Sequence, residues 1–337
     1  MTELRRDPVI GQWVNVHTDD SFSPQHYEVE DQTPRHKARC QFCPGREHQT
    51  PPEVDAVRER NSAPNGPGWT VRVVPNKFPA LKIEGGIDSV KQGMFDMSNG
   101  IGAHEVLIET PEHGKNLADF TEKETADVIR LYQNRLRDLT NDRRFKYIII
   151  FKNYGESAGT SVEHAHSQII ALPMIPKYVL EKIEGAKAYY EQNKRCVFCD
   201  MVAQEHEDKE RIFSENEDFV AFCPFVSRYA FEYWIMPKEH DSNFAQINDK
   251  KRNALANILR ETLSRLKNCL SDPSYNYYLH VAPVNTGGEE GFHWHIEIVP
   301  KLTRTSGFEL GTGFYVVRTS PEAAAGYLRG ARPKLAV

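Results

Sequence analysis

The sequence predicts an α+β fold of two tandem lobes, residues 1–175 and 176–337, each a mainly antiparallel sheet with a helix packed on it. An order of uncommon residues occurs twice. Cys40-Gln-Phe-Cys43, Pro-Glu-His113 and His164-Ala-His166-Ser-Gln168 are answered by Cys196-Val-Phe-Cys199, Lys-Glu-His240 and His293-Trp-His295-Ile-Glu297. His164 follows His113 by 51 residues and His293 follows His240 by 53, and one order at nearly one spacing points to duplication of a folded unit. Each half also runs through the same succession of helix, strand, loop and strand.

Residues 1–65 are rich in Pro, Arg, Glu and polar turns, and predict short strands joined by long loops. Trp69–Val74 and His104–Ile108 alternate as strands do. Thr121-Glu-Lys-Glu124 has the form of a capping box, and Val128, Leu131, Tyr132, Arg135 and Leu139 continue at helical spacing. Phe145–Phe151 is β-branched and aromatic enough for a buried strand; the loop Asn153–Ser161 follows, then a strand over Val162–Leu172. Lys177–Lys194 reads as a charged connecting helix. After His240 come a helix carrying Leu255, Ile258, Leu259 and Leu266, a strand over Tyr275–Val281, the loop Pro283–Gly291, a strand over Phe292–Val299 and a short terminal helix from Pro321 to Gly330.

Composition narrows the function. A formal net charge of -5 and a pI near 6.2 give no electrostatic basis for nucleic-acid binding. No apolar run approaches the roughly 20 residues of a membrane span, and the start lacks the apolar core of a signal peptide, so a cytoplasmic protein is expected. Four of the six cysteines sit in two Cys-x-x-Cys pairs, which in a reducing compartment favours metal ligation over disulfides. Zinc takes four tetrahedral S and N ligands, and Cys-x-x-Cys presents two thiolates from one turn. Cys40, Cys43, His113 and His164 are therefore expected to form one site, and Cys196, Cys199, His240 and His293 a second, giving two zinc ions per chain. A redox dithiol is the competing reading; it calls for a strand before the pair and a helix after it, whereas Cys40-Gln-Phe-Cys43 runs into Pro44-Gly45.

On an extended segment alternate residues face one way, so His164, His166 and Gln168 share a side. One imidazole can complete a metal site while the next stands free as a nucleophile toward phosphorus, provided a hydrogen bond fixes its tautomer. The loop Gly155–Ser161 just upstream is expected to aim backbone N–H groups and hydroxyls at an anion. Histidines that serve metal alone, or a polar strand edge, are the bland alternative.

Taken together, Cys-x-x-Cys and Glu156-Ser-Ala-Gly-Thr-Ser161-Val-Glu-His164-Ala-His166-Ser-Gln168 resemble the galactose-1-phosphate uridylyltransferase branch of the histidine-triad superfamily. The resemblance runs from Leu4-Arg-Arg-Asp-Pro-Val9 to Phe308-Glu309-Leu-Gly-Thr-Gly313. It implies two tandem histidine-triad-like lobes, the first catalytic; in the second, His295 stands where His166 does, but Glu297 replaces the glutamine and the loop Val284–Glu290 is acidic and would repel a diphosphate, so a degenerate copy is expected. It implies double displacement with ping-pong kinetics: His166 takes a nucleotidyl group from a nucleoside-diphosphate sugar, and a sugar 1-phosphate then accepts it, as in transfer of UMP from UDP-glucose to galactose 1-phosphate. Gln168 would donate to a phosphoryl oxygen without shuttling a proton, and Ser161 would bind phosphate. Asn76, Lys77, Asn153 and Gly159 match nucleotide-contacting positions, and Phe308 and Glu309 lie in the segment that reaches the sugar phosphate in the partner subunit of a homodimer.

The chain departs from the well-studied pattern at Ala165, where that pattern has proline. Together with Thr50-Pro-Pro-Glu53 and a complete second Cys-x-x-Cys, this resembles a sub-branch that includes plant ADP-glucose phosphorylase, where phosphate is the acceptor and the nucleotide is adenylyl. A non-catalytic, zinc-stabilised nucleotide-binding protein is the reading from another class.

Overall fold

The computed structural model describes residues 1–19, 22–33, 37–285 and 291–336. The first half supplies β1 (Thr2–Arg6), β2 (Trp13–His17), β3 (Asp55–Arg58), β4 (Trp69–Pro75), β5 (Ser89–Gln92), β6 (Phe95–Ser98), β7 (Ala103–Ile108), α1 (Glu122–Thr140), β8 (Tyr147–Tyr154) and β9 (His166–Leu172). The second supplies α2 (Lys177–Asn193), α3 (Val197–Asp208), β10 (Ile212–Glu215), β11 (Phe219–Phe222), β12 (Tyr233–Pro237), α4 (Asp249–Cys269), β13 (Tyr275–His280), β14 (His295–Pro300), α5 (Gly307–Thr312), β15 (Tyr315–Val317) and α6 (Pro321–Gly330).

The two expected sheets are one. A 10-stranded sheet runs β10-β11-β12-β14-β13-β8-β9-β7-β4-β3, and the order reads alike outward from its centre. β8, β9, β7, β4 and β3 answer β13, β14, β12, β11 and β10. The seam is an antiparallel pairing of β8 with β13, from Tyr275↔Tyr154 to Leu279↔Ile150. Both are largely buried strands, and left as edges they would expose unpaired backbone beside the core; pairing them removes both edges at once.

On one face lie α1 and α4. Thr121 and Glu124 form the capping box that the sequence predicts, and α1 buries Val128, Ile129, Leu131, Tyr132, Leu136 and Leu139. α4 buries Leu255, Ile258, Leu259, Leu263 and Leu266. The halves also meet through hydrogen bonds, from Gln133 Nε2 to the Ile247 carbonyl (2.9 Å) and from Arg260 Nη1 to the Phe120 carbonyl (3.3 Å). The apolar residues of both halves form one continuous core, with a smaller cluster of Cys40, Phe42, Trp69, Val74, Val106 and Ile108 beside the first cysteine pair. The termini close a separate 3-stranded sheet in which β15 runs parallel to β2, fastened by Arg5 to Glu322 (2.9 Å) and by a Tyr27–Thr319 hydroxyl contact (2.6 Å).

Two expected strand starts move. β9 begins at His166, not Val162, and β14 at His295, not Phe292. Each preceding segment leaves the ladder as it brings a histidine, His164 or His293, to the cysteines. α3, which starts directly after Cys196, was not legible because its apolar positions are few and interrupted by acids. Gly155 turns the chain out of β8 at φ +84°, and a Cβ there would lie 1.9 Å from Ser274 Oγ. Only glycine fits that corner.

Candidate active site

The eight predicted ligands assemble as two tetrads. In each of them one donor atom per residue lies within 4.8 Å of the others. Tetrahedral zinc, with Zn–S about 2.3 Å and Zn–N about 2.0–2.1 Å, sets S···N edges of about 3.6 Å. Cys40 Sγ lies 3.5 Å from His164 Nδ1, and Cys43 Sγ lies 3.6 Å from His113 Nδ1 and 3.7 Å from His164 Nδ1. In the second tetrad Cys199 Sγ is 3.4 Å from His240 Nδ1 and 3.5 Å from His293 Nδ1. His164 Nε2–H donates to the Thr110 carbonyl at 2.7 Å, which leaves Nδ1 bare toward the thiols, as outer-shell bonds do in metal sites. Both tetrads therefore fit a tetrahedral ion held by two thiolates and two imidazoles, with a structural role.

His166 is the first residue of β9. Its Nδ1 lies 2.8 Å from the carbonyl of His164, and since a carbonyl only accepts, Nδ1 carries the proton and Nε2 the lone pair. Burial pushes the imidazole down to about 4; the nearby Lys152 charge adds to this and the His164 bond opposes it. The ring is thus uncharged at neutral pH, with its lone pair on Nε2. Phe42 packs against it at 5.5 Å between centroids. Beneath it Lys152 and Glu109, both inside the protein, pair at 2.6 Å, and Lys152 Nζ also donates to the His166 carbonyl at 3.3 Å. Sequence reasoning passed over this pair, whose one signal was a lysine closing the apolar run of β8.

His166 lines a cleft of about 530 Å³, together with His164, Ala165, Lys152, Asn153, Gly155, Thr160, Ser161, Asn116 and the segment Glu30–Thr33. Of the expected site residues, Asn153 and Ser161 are there. Asn153 Oδ1 accepts from Asn276 Nδ2 (2.8 Å), a bond across the seam between the halves. Gly159 sits in the same loop at φ +89° without lining the cleft. The expected anion cradle of backbone N–H groups is mostly spent: Ala158 and Thr160 N–H donate to the Gly155 carbonyl, Gly159 N–H to Glu156, and Ser157 N–H to Glu30. The loop closes on itself, so side chains remain for an anion. Glu30, unforeseen in the sequence, braces the wall by accepting from Ser157 N–H and the Ser274 hydroxyl.

Gln168 and Asn76 do not line that cleft and are joined through His104: His104 Nε2 lies 2.8 Å from Gln168 Oε1 and 3.0 Å from Asn76 Nδ2. Lys77 is exposed beside them. Phe308 and Glu309 lie on α5, away from this chain's cleft; Phe308 is exposed, and Glu309 accepts from Ser306 N–H in a capping box.

The second half keeps the scaffold and closes the site. His295 Nδ1 donates to the His293 carbonyl at 3.0 Å, as His166 does to His164. Yet His295 is 0% exposed where His166 keeps 9%, and its ring is stacked on Trp234 and His280, each at 4.9 Å. Its Nε2 faces Glu297 Oε1 at 3.5 Å. Burial alone would raise the Glu297 carboxyl, but Lys182 and Arg228 hold it well below the usual range, Lys182 reaching in from α2 and Arg228 binding at 2.6 Å. His280 belongs to this knot and not to the cysteine tetrad. Residues 286–290, which include both acids of the loop between β13 and β14, lie outside the described residues.

Comparison with known proteins agrees with this geometry. The family model "galactose-1-phosphate uridyl transferase, N-terminal domain" matches residues 1–176, and the corresponding C-terminal domain model matches 182–314. The chain is 35% identical to ADP-glucose phosphorylase of Arabidopsis thaliana, over 97% of this chain and 92% of that one. It is 30% identical to galactose-1-phosphate uridylyltransferase of Thermotoga maritima, over 98% of each. The crystal structure of the Arabidopsis ADP-glucose phosphorylase with bound ADP-glucose superposes with a TM-score of 0.81 at 33% identity, covering 98% of both chains. Two domain models in tandem over a duplicated sheet, with relatives matching nearly the whole chain, place it in the galactose-1-phosphate uridyl transferase family.

Proposed function

We propose that this protein is a nucleotidyltransferase that works by double displacement through a nucleotidyl-His166 intermediate. The observation that carries the reading is the Nδ1–H bond from His166 to the His164 carbonyl, which leaves Nε2 unprotonated beside the cleft. Nε2 attacks the α-phosphorus of a nucleoside-diphosphate sugar. The N–P bond forms while the bond to the bridging oxygen breaks, and the electron pair leaves with the sugar phosphate, already a good leaving group. A phosphate oxygen of the acceptor then attacks the same phosphorus and releases Nε2. In the intermediate the ring is cationic, with its Nδ1–H still on the His164 carbonyl and Glu109 beneath offsetting the Lys152 charge. In this reading Gln168 and Ser161 hold phosphoryl oxygens, Asn76, Lys77 and Asn153 the nucleotide, and Gly159 the loop. Residues 1–175 are the catalytic lobe and 176–337 the degenerate one. A binding module would have no use for a fixed, unprotonated tautomer.

Two donors are supported by different observations. The family assignment and the Thermotoga relative support UMP transfer from UDP-glucose to a hexose 1-phosphate such as galactose 1-phosphate. The 35% match to ADP-glucose phosphorylase, the complete second tetrad and Ala165 support adenylyl transfer from ADP-glucose to phosphate. Intact-protein mass spectrometry after mixing with each sugar nucleotide separately decides. One nucleoside-monophosphate adduct is expected with one of the two, absent in His166→Gly; no adduct with either removes the covalent reading.

With the His166 imidazole held neutral down to about 4, the rate of adduct formation should be flat between about pH 8 and pH 6. Protonation would silence Nε2 only as pH falls toward the depressed value, so a break near the ordinary histidine value of about 6.5 argues against a buried, pre-deprotonated nucleophile. For the two tetrads we propose zinc. Elemental analysis should return about two zinc per chain and about one in Cys40→Ser; iron or no metal refutes this.

The chain is also proposed to act as a homodimer. Support comes from Met94 and Phe95, which are 87% and 66% exposed on the β5–β6 hairpin, because a two-stranded hairpin with no packed face is marginal alone. Light scattering should give a dimer for the wild type and a monomer for Met94→Glu with Phe95→Glu; an unchanged mass shows that the hairpin is not the interface.

A further inference from the structure

We infer that His104, on β7, is the positioning residue that orients the Gln168 side-chain amide toward the reacting phosphoryl group; this rests on the double-displacement reading. The donors and acceptors around His104 are forced. The backbone N–H of Ala80 donates to His104 Nδ1 at 3.0 Å, so Nδ1 holds the lone pair and the neutral ring carries its proton on Nε2. That nitrogen lies 2.8 Å from Gln168, and an N–H donor accepts no hydrogen, so the atom facing it is the amide oxygen Oε1. The Gln168 NH₂ is thereby turned away from His104 and left to donate elsewhere. Gln168 lies two residues beyond His166 on β9, on the same side of the strand, so His166 and the Gln168 NH₂ serve one side of the sheet.

The register fits this geometry. Val106 is paired with Gln168 and His104 with Ile170, which makes His104 and Gln168 diagonal neighbours on one face. Asn76 joins them at the end of β4. Its N–H donates to the His104 carbonyl at 2.8 Å, and its Oδ1 accepts from Phe78 N–H at 2.9 Å, so Nδ2 is the atom that faces His104 Nε2 at 3.0 Å. Since Nε2–H is committed to Gln168, the Asn76 NH₂ has no acceptor in the ring. Of the two amide groups, that of Gln168, on the face of β9 that carries His166, is the one locked by His104. A glutamine amide relays no proton at neutral pH, so His104 acts by orientation and not as a remote acid or base. Without its Nε2–H the Gln168 amide is free to rotate, and oxygen in place of NH₂ would repel the phosphoryl oxygen.

The test is a double-mutant cycle on the nucleotidylation step, read by rapid-quench intact mass with the sugar nucleotide that labels the wild type. His104→Phe keeps a ring of similar size without the donor. It is expected to slow adduct formation about 10- to 100-fold, less than the roughly 100- to 1,000-fold of a deleted oxyanion donor because the amide is misoriented and not removed, while donor affinity in the His166→Gly background changes less than about threefold. Added to Gln168→Ala it should cost almost nothing further, because the partner it orients is gone, and His104→Gln, which retains an N–H, should recover part of the loss. A rate within about twofold of wild type, or losses that multiply in the double variant, overturns the proposal. ¹⁵N resonances of the His104 ring in the wild-type protein give a readout independent of activity and of the variant's folding. A bare Nδ1 and a protonated Nε2 are required, and a proton on Nδ1 refutes the orientation. If the wild type forms no adduct with either sugar nucleotide, the proposed function fails; the ring tautomer, and whether the Gln168 side-chain amide resonances move in His104→Phe, still decide the positioning.

Discussion

The active site hangs on His164. Its ring belongs to the first tetrad, Nδ1 turned to the cysteines and Nε2–H donated to the Thr110 carbonyl, so the residue is fixed at both nitrogens. Its backbone carbonyl then takes the Nδ1–H of His166 and leaves the opposite nitrogen bare. A tetrad that looks structural therefore determines which nitrogen of the neighbouring histidine keeps its lone pair. It also explains why β9 begins where it does: the chain joins the ladder only after His164 has reached the cysteines, so His166 sits at the strand's first position, at the end of the cleft.

Duplication supplied this arrangement twice, and the copies diverged by burial. In the second half the same carbonyl-to-imidazole bond persists, but Trp234, His280 and Glu297 occupy the space in which the cleft of the first half opens. A carboxylate there needs buried partners, and Lys182 and Arg228 provide them. Such an internal network contributes little net stability compared with an apolar filling, but breaking it by removing one partner leaves a buried charge. The second half thereby holds a rigid, closed copy whose β13 completes the sheet against β8 and whose Asn276 steadies Asn153 in the working cleft.

Much was legible in the sequence because it is local or periodic. The α1 capping box, the Pro321–Gly330 helix, β4, β7 and the connecting helix α2 follow from residue pattern, and both tetrads follow from ligand chemistry and spacing. His104, Lys152 with Glu109, and Glu30 were not legible as site residues. Each acts through a partner distant in sequence, and none carries a motif: His104 reads as one more polar residue of an alternating strand, and Glu30 as part of a charged loop. The loop at Gly155–Ser161 offered the opposite lesson, since its glycines and hydroxyls suggested an anion cradle while most of its N–H groups close the loop internally.

By itself the sequence determined the duplicated α+β plan and the residues of both tetrads, because repeated order, helix periodicity and metal-ligand chemistry are written in residue type and spacing. Only the tertiary structure decided that the two lobes share one sheet, which of the two histidine pairs is open to a substrate, and what holds the Gln168 amide. Those outcomes depend on strand pairing and on the burial of residues far apart in the chain, where a single proton on one ring nitrogen sets which atoms can face each other.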